Sequence, residues 1–571
     1  MTPPLDLSHH LSYATRNKKP SSVKNFYKYF SIPGIANFAG GLPHASYFPY
    51  DTLEAKVARP QRLNSTKDKD AHSVQVTVPK EDHTTDLTRK IDLTTALQYG
   101  TAEGIPPLRN FLRSFVRDHL HPNVPYEGGP EILLSCGSTD GFSKTIEAFT
   151  NIWNPDRDWI QQREGILCEE FAYMNAIQTV LPRGLNVAGV AMDGQGMLAS
   201  GKGGLRDVLE NWDFRKGRRP HLMYTVPTGQ NPTGGTLSVE RRQEIYALCQ
   251  EYDVIIIEDE PYWNLQFPSA YEKTVHHRGS SPEPNLYTRN YTVEGKSSGY
   301  AYLDSLVPSY LSIDIEGRVV RLDTFSKTIA PGSRLGWITA QPAIIERLTR
   351  ITEVTTQQPS GFVQSIVAEM IVGQDEKSAK SAKSSKQIAP GWHMDGWVRW
   401  LEGLRAGYET RMQAMCTVLE ENKYLFHRSS EIHGVDDWEV VDRVQMYDFV
   451  WPMGGMFAWL EARFDTHPLR EQYSPERLSQ ALWISLTQKP HLCLVGPGSM
   501  FAATPTSAKK AHLYIRVAFA PMEADEVAPF THRLVGGFRA FWQRKDLDGL
   551  SGDEDAVTLD LPSFNFLGNG C

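Results

Sequence analysis

Cysteine is scarce in this chain. Six occur in 571 residues (Cys136, Cys168, Cys249, Cys416, Cys493 and Cys571), scattered and without a CxxC pair. That excludes a disulfide scaffold and a clustered zinc site, and it fits reduced, buried thiols in an intracellular compartment. Positive charge is not in excess either. The net charge of -8 offers no footing on nucleic acid or an anionic membrane. No apolar run approaches the roughly 20 residues of a membrane span. Met1–Pro20 lacks the apolar core of a secretion signal. It holds Arg16, Lys18 and Lys19 against one acid, Asp6, but its arginine content is low for a mitochondrial presequence. Cytoplasmic placement is the expectation, with the mitochondrion as the alternative. Internal repeats are absent.

What is present is length and a supply of core residues. A chain of 571 residues with 40% hydrophobic content can build two structural lobes. Three stretches read as surface insertions: 57–92, polar and charged; 268–312, rich in Ser, Pro, Tyr and Gly; and 374–391, with the low-complexity run Lys377–Lys386. The second is read as decoration rather than as a shaper of access. The third is read as a mobile solvated loop, and the acids near Asp553 and Asp555 as a solvated tail.

Between the insertions, short apolar runs alternate with helical patterns. Ile132–Leu134 precedes a helix over 138–151, and Gly165–Cys168 precedes another from about 173. Leu222–Tyr224 leads through a Pro/Gly turn to a helix near Ser238, and Val254–Ile257 ends in acids. Continuous apolar strands between helices predict an α/β fold with a mostly parallel central sheet covered by helices. Functional residues in such sheets gather at the carboxyl ends of the strands.

Five segments sit at such ends or on strands. Thr324-Phe325-Ser326-Lys327 runs on to Gly332-Ser333-Arg334-Leu335-Gly336, which sets an amine beside an anion-binding arginine and two hydroxyls. That pairing suits a phosphate-bearing aldehyde held on Lys327 as a Schiff base. Ser138 and Thr139, at a helix start, read equally as a phosphate seat or as plain caps. Pro227-Thr228-Gly229-Gln230-Asn231-Pro232-Thr233-Gly234-Gly235 is a tight loop that can hold the Asn231 side chain rigidly. Asp259, in Glu258-Asp259-Glu260-Pro261-Tyr262, must find a cation or shift its pKa. A pyridinium nitrogen suits it, and Tyr262 follows three residues on. Arg516, in Leu513–Phe519, reads either as a carboxylate clamp or as a surface ion pair.

Taken in order, GSxD, FAY, PTGQNPTG, EDEPY, SKxxxxGxRxG and YIRVAF resemble the fold-type I aminotransferases that use pyridoxal 5'-phosphate. The branch resembles fungal aromatic aminotransferases and the related kynurenine/2-aminoadipate aminotransferases. The resemblance runs from Phe38-Ala39-Gly40-Gly41-Leu42-Pro43 to about residue 545 and includes Leu97–Gly100, Gly104–Leu108 and Gly454-Gly455-Met456-Phe457. It implies a large cofactor-binding domain over 96–373 and a smaller α+β domain over 392–545. An N-terminal arm and part of the small domain would fill 1–95, and a tail 546–571. It implies roles as well. Lys327 carries the cofactor and shuttles the proton, and Asp259 pairs with the ring nitrogen. Asn231 and Tyr262 bond the ring oxygen, and Tyr173 stacks on the ring. Ser138, Thr139, Thr324, Ser326 and Arg334 seat the phosphate. Arg516 binds the substrate carboxylate, with Asn231 and Gly41 against the substrate. Tyr99 resembles a tyrosine donated by a neighbouring subunit, which implies a homodimer with shared sites. The chain departs from the pattern at Phe171, where proline is usual, and in the longer stretch from Asp259 to Lys327. The implied reaction is ping-pong transamination of an aromatic amino acid with a 2-oxo acid, 2-oxoglutarate foremost. Kynurenine or 2-aminoadipate transamination, or a lyase reaction on the same fold, are the alternatives.

Overall fold

The apolar runs pair into one seven-stranded sheet. In the computed structural model its strands are β1 (Glu131–Ser135), β2 (Gly165–Glu169), β3 (Asn186–Val190), β4 (Leu222–Thr225), β5 (Ile255–Asp259), β6 (Val319–Thr324) and β7 (Gly336–Ala340). The spatial order is β1-β7-β6-β5-β4-β2-β3. The pairs from β6 to β3 are parallel, and β7 runs antiparallel to both β6 and β1. The structure describes residues 1–22, 29, 32, 34–36, 38–62, 73–287, 295–373, 391–428 and 441–550.

The sheet forms because its strands have no polar face to show to water. Every residue of β2, β4, β5, β6 and β7 is buried. Successive side chains alternate between faces. Ile255 and Ile257 therefore join one apolar cluster with Phe142, Ile146 and Leu348, while Ile256 joins another with Ile245 and Leu248. Helix α1 (Ser138–Phe149) starts at Gly137, whose φ of 94° suits glycine, and neither Ser138 nor Thr139 caps it. Helix α2 (Val239–Glu251) is capped by Ser238 Oγ, which accepts from the Arg241 amide at 3.2 Å.

A second, antiparallel sheet comprises β8 (Tyr447–Phe449), β9 (Phe457–Ala462), β10 (Gly496–Pro497) and β11 (Tyr514–Ala518), ordered β8-β9-β11-β10. The long helix His393–Glu421 leads into it, and the helices Pro475–Thr487 and Val527–Trp542 accompany it. On β9, Ala458, Leu460 and Ala462 are buried, while Phe457, Trp459 and Glu461 lie half-buried on the other face.

Two of the expected surface insertions need correction. The stretch 268–312 is not decoration: Tyr302, Leu303, Leu306, Val307, Tyr310 and Leu311 are all buried. Ser309 Oγ and the Tyr310 amide donate to Glu258, so this segment closes over the buried end of β5. Polar composition misled because the hydroxyls and amides are spent on an internal carboxylate. The stretch 57–92 is only partly a surface excursion. It contains the strand Ser73–Pro79, paired with Thr52–Ala58, and it buries Val78, Ile91 and Asp92. Residues 63–72, 288–294 and 374–390, the acids of the C-terminal tail and Cys571 lie outside the described residues. The other five cysteines are free thiols.

Candidate active site

Lys327 lies in the turn that follows β6, half-buried. Burial pushes its amine pKa down, and the Arg334 and Arg516 guanidiniums push the same way. Asp259 pulls it up. The charge of the amine is thus set by burial and by two cations and one carboxylate from other parts of the chain.

Asp259 ends β5 and is buried. Its Oδ2 accepts from the Tyr224 hydroxyl at 2.8 Å, and its Oδ1 has no hydrogen-bond partner among the described residues. Burial pushes its pKa up to about 6, with Asp323 adding to the rise. Tyr224, Ser138 and Arg321 pull it down. Tyr224 was missed by sequence reasoning, which took it for strand filler. The available signal was a phenol inside an otherwise apolar run, since a buried phenol hydroxyl needs a partner.

The candidate anion seat is built around Arg334, whose left-handed backbone (φ 46°) turns it back over the loop. Its Nη1 donates to Ser326 Oγ at 3.3 Å and Pro331 O at 3.0 Å, and its Nη2 to Cys136 O at 3.0 Å. Thr324 Oγ1 sits 2.9 Å from Ser326 Oγ and donates to Leu335 O. A β-carbon on Gly137 would lie 2.5 Å from Arg334 Nη2, so only glycine leaves this cradle open. Ser138 is half-buried and within reach of Asp259, while Thr139 is exposed at the same helix start.

Asn231 is buried in its proline–glycine loop and accepts from Arg516 Nη1 at 2.8 Å. A hydrogen bond to Asn231 also lowers the Tyr262 phenol, which burial pushes well up. Gln230 fastens the loop by donating to Phe171 O at 2.7 Å. Phe171 itself joins the rings of Trp459 and Tyr514, so the position where proline is usual serves aromatic packing here. Tyr173 precedes helix Met174–Val180, packs on the main apolar cluster and accepts from Asn175 at 2.7 Å. Arg516, in mid-strand on β11, is half-buried beneath the rings of Phe457 and Phe501, which does not fit a plain surface ion pair.

Lys327, Asp259, Tyr262, Asn231, Arg334 and Arg516 are therefore brought together. Two predicted residues are not brought in by this chain. Tyr99 is 54% exposed, and Gly41 lies in an exposed stretch with nothing within 4 Å of where its β-carbon would be.

The residues fit pyridoxal phosphate on donor chemistry: an orphaned buried carboxylate oxygen for a ring cation, an arginine–hydroxyl cradle for a phosphate, and a desolvated amine for an aldehyde.

The aminotransferase class I and II family model matches residues 68–534. An aromatic amino acid aminotransferase of Schizosaccharomyces pombe is 33% identical over 547 residues, covering 93% of this chain and 98% of the relative. An L-tyrosine:2-oxoglutarate aminotransferase of Tapinella panuoides is 33% identical, over 81% of this chain and 75% of its own. The crystal structure of aminotransferase Aro8 from Candida albicans superimposes with a TM-score of 0.74 at 29% identity, covering 95% of this chain and 100% of that one. Motif order, site geometry and these likenesses agree: the chain belongs to the class I and II aminotransferases.

Proposed function

We propose that this aminotransferase moves the α-amino group of phenylalanine, tyrosine or tryptophan to a 2-oxo acid, 2-oxoglutarate foremost, using pyridoxal 5'-phosphate. The observation that carries the reading is the buried Asp259 carboxylate with one oxygen unpartnered, acting with the Arg334 and Arg516 guanidiniums on the charge of the desolvated Lys327 amine. Relatives named for aromatic amino acids and for L-tyrosine with 2-oxoglutarate support the donor and the acceptor.

In this reading Arg334, Ser326, Thr324, Ser138 and Thr139 hold the phosphate. Asp259 takes the ring nitrogen, Asn231 and Tyr262 the ring oxygen, and Tyr173 the ring face. The bound cofactor supplies an electron sink and carries the amino group between half-reactions. Arg516 grips the substrate α-carboxylate with its planar fork. Lys327 Nζ, with its pKa held down, takes the proton from the donor's α-carbon. In the return half-reaction it gives a proton to the α-carbon of the new amino acid. Asp259, backed by Tyr224, stays ionised against a facing cation.

A homodimer with shared sites belongs to the same proposal. Phe38 is 97% exposed, and Tyr47 and Tyr99 are largely exposed as well, large side chains that a second copy would cover. The division into a large domain over 96–373 and a small one over 392–545 is the frame for these roles. Among the described residues no helix is long and apolar enough to cross a membrane.

The test is an amino-donor screen with 2-oxoglutarate, read by mass spectrometry. Oxo acids from Phe, Tyr and Trp are expected. Turnover of kynurenine or 2-aminoadipate without any of the three would replace the donor assignment. An eliminated product in place of an oxo acid would make the enzyme a lyase.

A further inference from the structure

Phe457 stands where two groups of site residues meet. Its ring centre is 4.4 Å from Cζ of Arg516 and 6.0 Å from the ring of Tyr262, edge-on at 88°. A second ring, Phe501, lies 4.5 Å from the same guanidinium carbon. The two come from different elements: Phe457 opens β9, and Phe501 closes the short turn Gly498–Phe501.

The backbone around Phe457 is fixed. The Gly455 amide donates to Leu265 O at 2.9 Å. Gly455 has a φ of 82°, and a β-carbon there would lie 2.5 Å from Gly229 O. Gly229 belongs to the loop that carries Asn231, and Asn231 Oδ1 accepts from Arg516 Nη1 at 2.8 Å. One close backbone crossing therefore sets both the ring over the guanidinium and the amide beside it.

An unrestrained arginine has several rotatable bonds to freeze when it binds a carboxylate. Aromatic faces that attract the cation and restrict its plane reduce that cost in advance. A leucine of similar bulk would fill space without attracting the cation.

We infer that Phe457 and Phe501 are positioning residues that hold the Arg516 fork ready for the substrate carboxylate, with Phe457 tying that fork to Tyr262. The inference rests on the reading of Arg516 as the carboxylate group's partner. It assigns the Gly454-Gly455-Met456-Phe457 segment to carboxylate recognition, and so to the choice of amino acids over simple amines.

The experiment is calorimetric binding of 3-phenylpropionate, a carboxylate without an amine, to the holoenzyme, together with kcat and KM for phenylalanine. The variants are Phe457→Leu, Phe501→Leu, Phe457→Trp and Arg516→Gln. Each leucine variant is expected to weaken 3-phenylpropionate about fivefold to tenfold, with the kinetic loss in KM rather than kcat. Phe457→Trp, which keeps a π face, is expected to bind within about twofold of the parent. Arg516→Gln is expected to weaken binding about a hundredfold. If Arg516→Gln binds like the parent, the reading of Arg516 itself falls. If Arg516→Gln is impaired but both leucine variants bind like the parent, the positioning role is overturned and Arg516 keeps its own. Equal losses in Phe457→Leu and Phe457→Trp would also overturn it, by reducing Phe457 to packing. Phe501→Leu keeps the test open if Phe457→Leu does not fold.

Discussion

Glu258 and Asp259 are neighbours on one buried strand, and their carboxylates are treated differently. Both oxygens of Glu258 have partners: Oε1 accepts from the Tyr310 amide at 3.0 Å and Arg242 Nη1 at 3.4 Å, and Oε2 accepts from Ser309 Oγ. Arg321 adds a second cation at 3.6 Å. Asp259 has one phenol on Oδ2 and no hydrogen-bond partner on Oδ1 among the described residues, with the Ser138 hydroxyl near enough only to lower its pKa. Glu260, next along, also has a bare oxygen, but burial above all, with Glu258 alongside, pushes it toward the neutral acid. Asp259, near 6, ionises at neutral pH. A buried charge left half-satisfied calls for an explanation. The proposed function supplies that explanation: a ligand cation that the folded chain does not itself provide. Glu258 holds the scaffold together, and in the proposed function Asp259 is the acid that meets the cofactor.

Breaking the functional side of this comparison has the largest expected effect. Lys327→Ala should lower transamination by about 1,000-fold or more. It should also remove the visible absorbance of the covalently held cofactor, and full activity in that variant would sink the assignment.

Asp259→Asn comes next, with turnover expected to fall about a hundredfold or more. Its effect on the cofactor-free protein should be favourable. The folded pKa of Asp259 is raised, so the folded state keeps a proton that the unfolded chain releases as pH climbs from about 4 to about 6. The stability associated with this group is therefore lost across that window and stays lost above it. The substituted amide does not titrate, so the variant should be more stable than the parent at pH 8 by about 1–3 kcal/mol, with the difference vanishing toward pH 4. Urea melts at the two pH values read it.

Glu258→Ala should move stability the other way. It takes one carboxylate from Arg242 and leaves the Ser309 hydroxyl and Tyr310 amide buried without their acceptor, while Arg321 keeps Asp323 at 2.9 Å and Arg242 keeps Glu260 at 3.5 Å. The cost should be about 3–5 kcal/mol in the same melts. A stabilising Glu258→Ala would erase the contrast between the two acids. Ser309→Ala removes one hydrogen bond to that carboxylate and should cost about 1–3 kcal/mol.

The smallest effect is Tyr224→Phe. This hydroxyl pulls the Asp259 pKa down, so its loss should raise that pKa further, by about one unit or less. The acid limb of the activity profile should move upward by the same amount, and an unmoved limb would separate Tyr224 from the site.

Much of this was legible in the chain. Continuous apolar runs such as Val254–Ile257 predicted strands covered on both faces, and β5 is covered on both. Lys327, Asp259, Asn231 and Arg334 stood out because their motifs combine a reactive or charged group with turn residues that hold it at a strand end. The stretch 268–312 misled, because composition registers hydroxyls and amides but not that Ser309 and Tyr310 spend theirs on Glu258. The phenol of Tyr224 inside an apolar run was a signal that did not name Asp259 as its partner, and Phe501 carried none, since each acts on a residue of another element.

The sequence by itself determined the class of fold and the identity of the reactive groups. Periodicity, turn chemistry and motif spacing are local properties that a single chain displays in order. Only the tertiary structure decided which charges are neutralised and which are left for a ligand. Glu258 and Asp259 are adjacent in sequence and both are acids. Strand alternation sends them to opposite faces, where Arg242, Ser309 and Tyr310 meet the first and Tyr224 meets the second. Desolvation and pairing depend on what packs from elsewhere in the chain, and that is settled by folding.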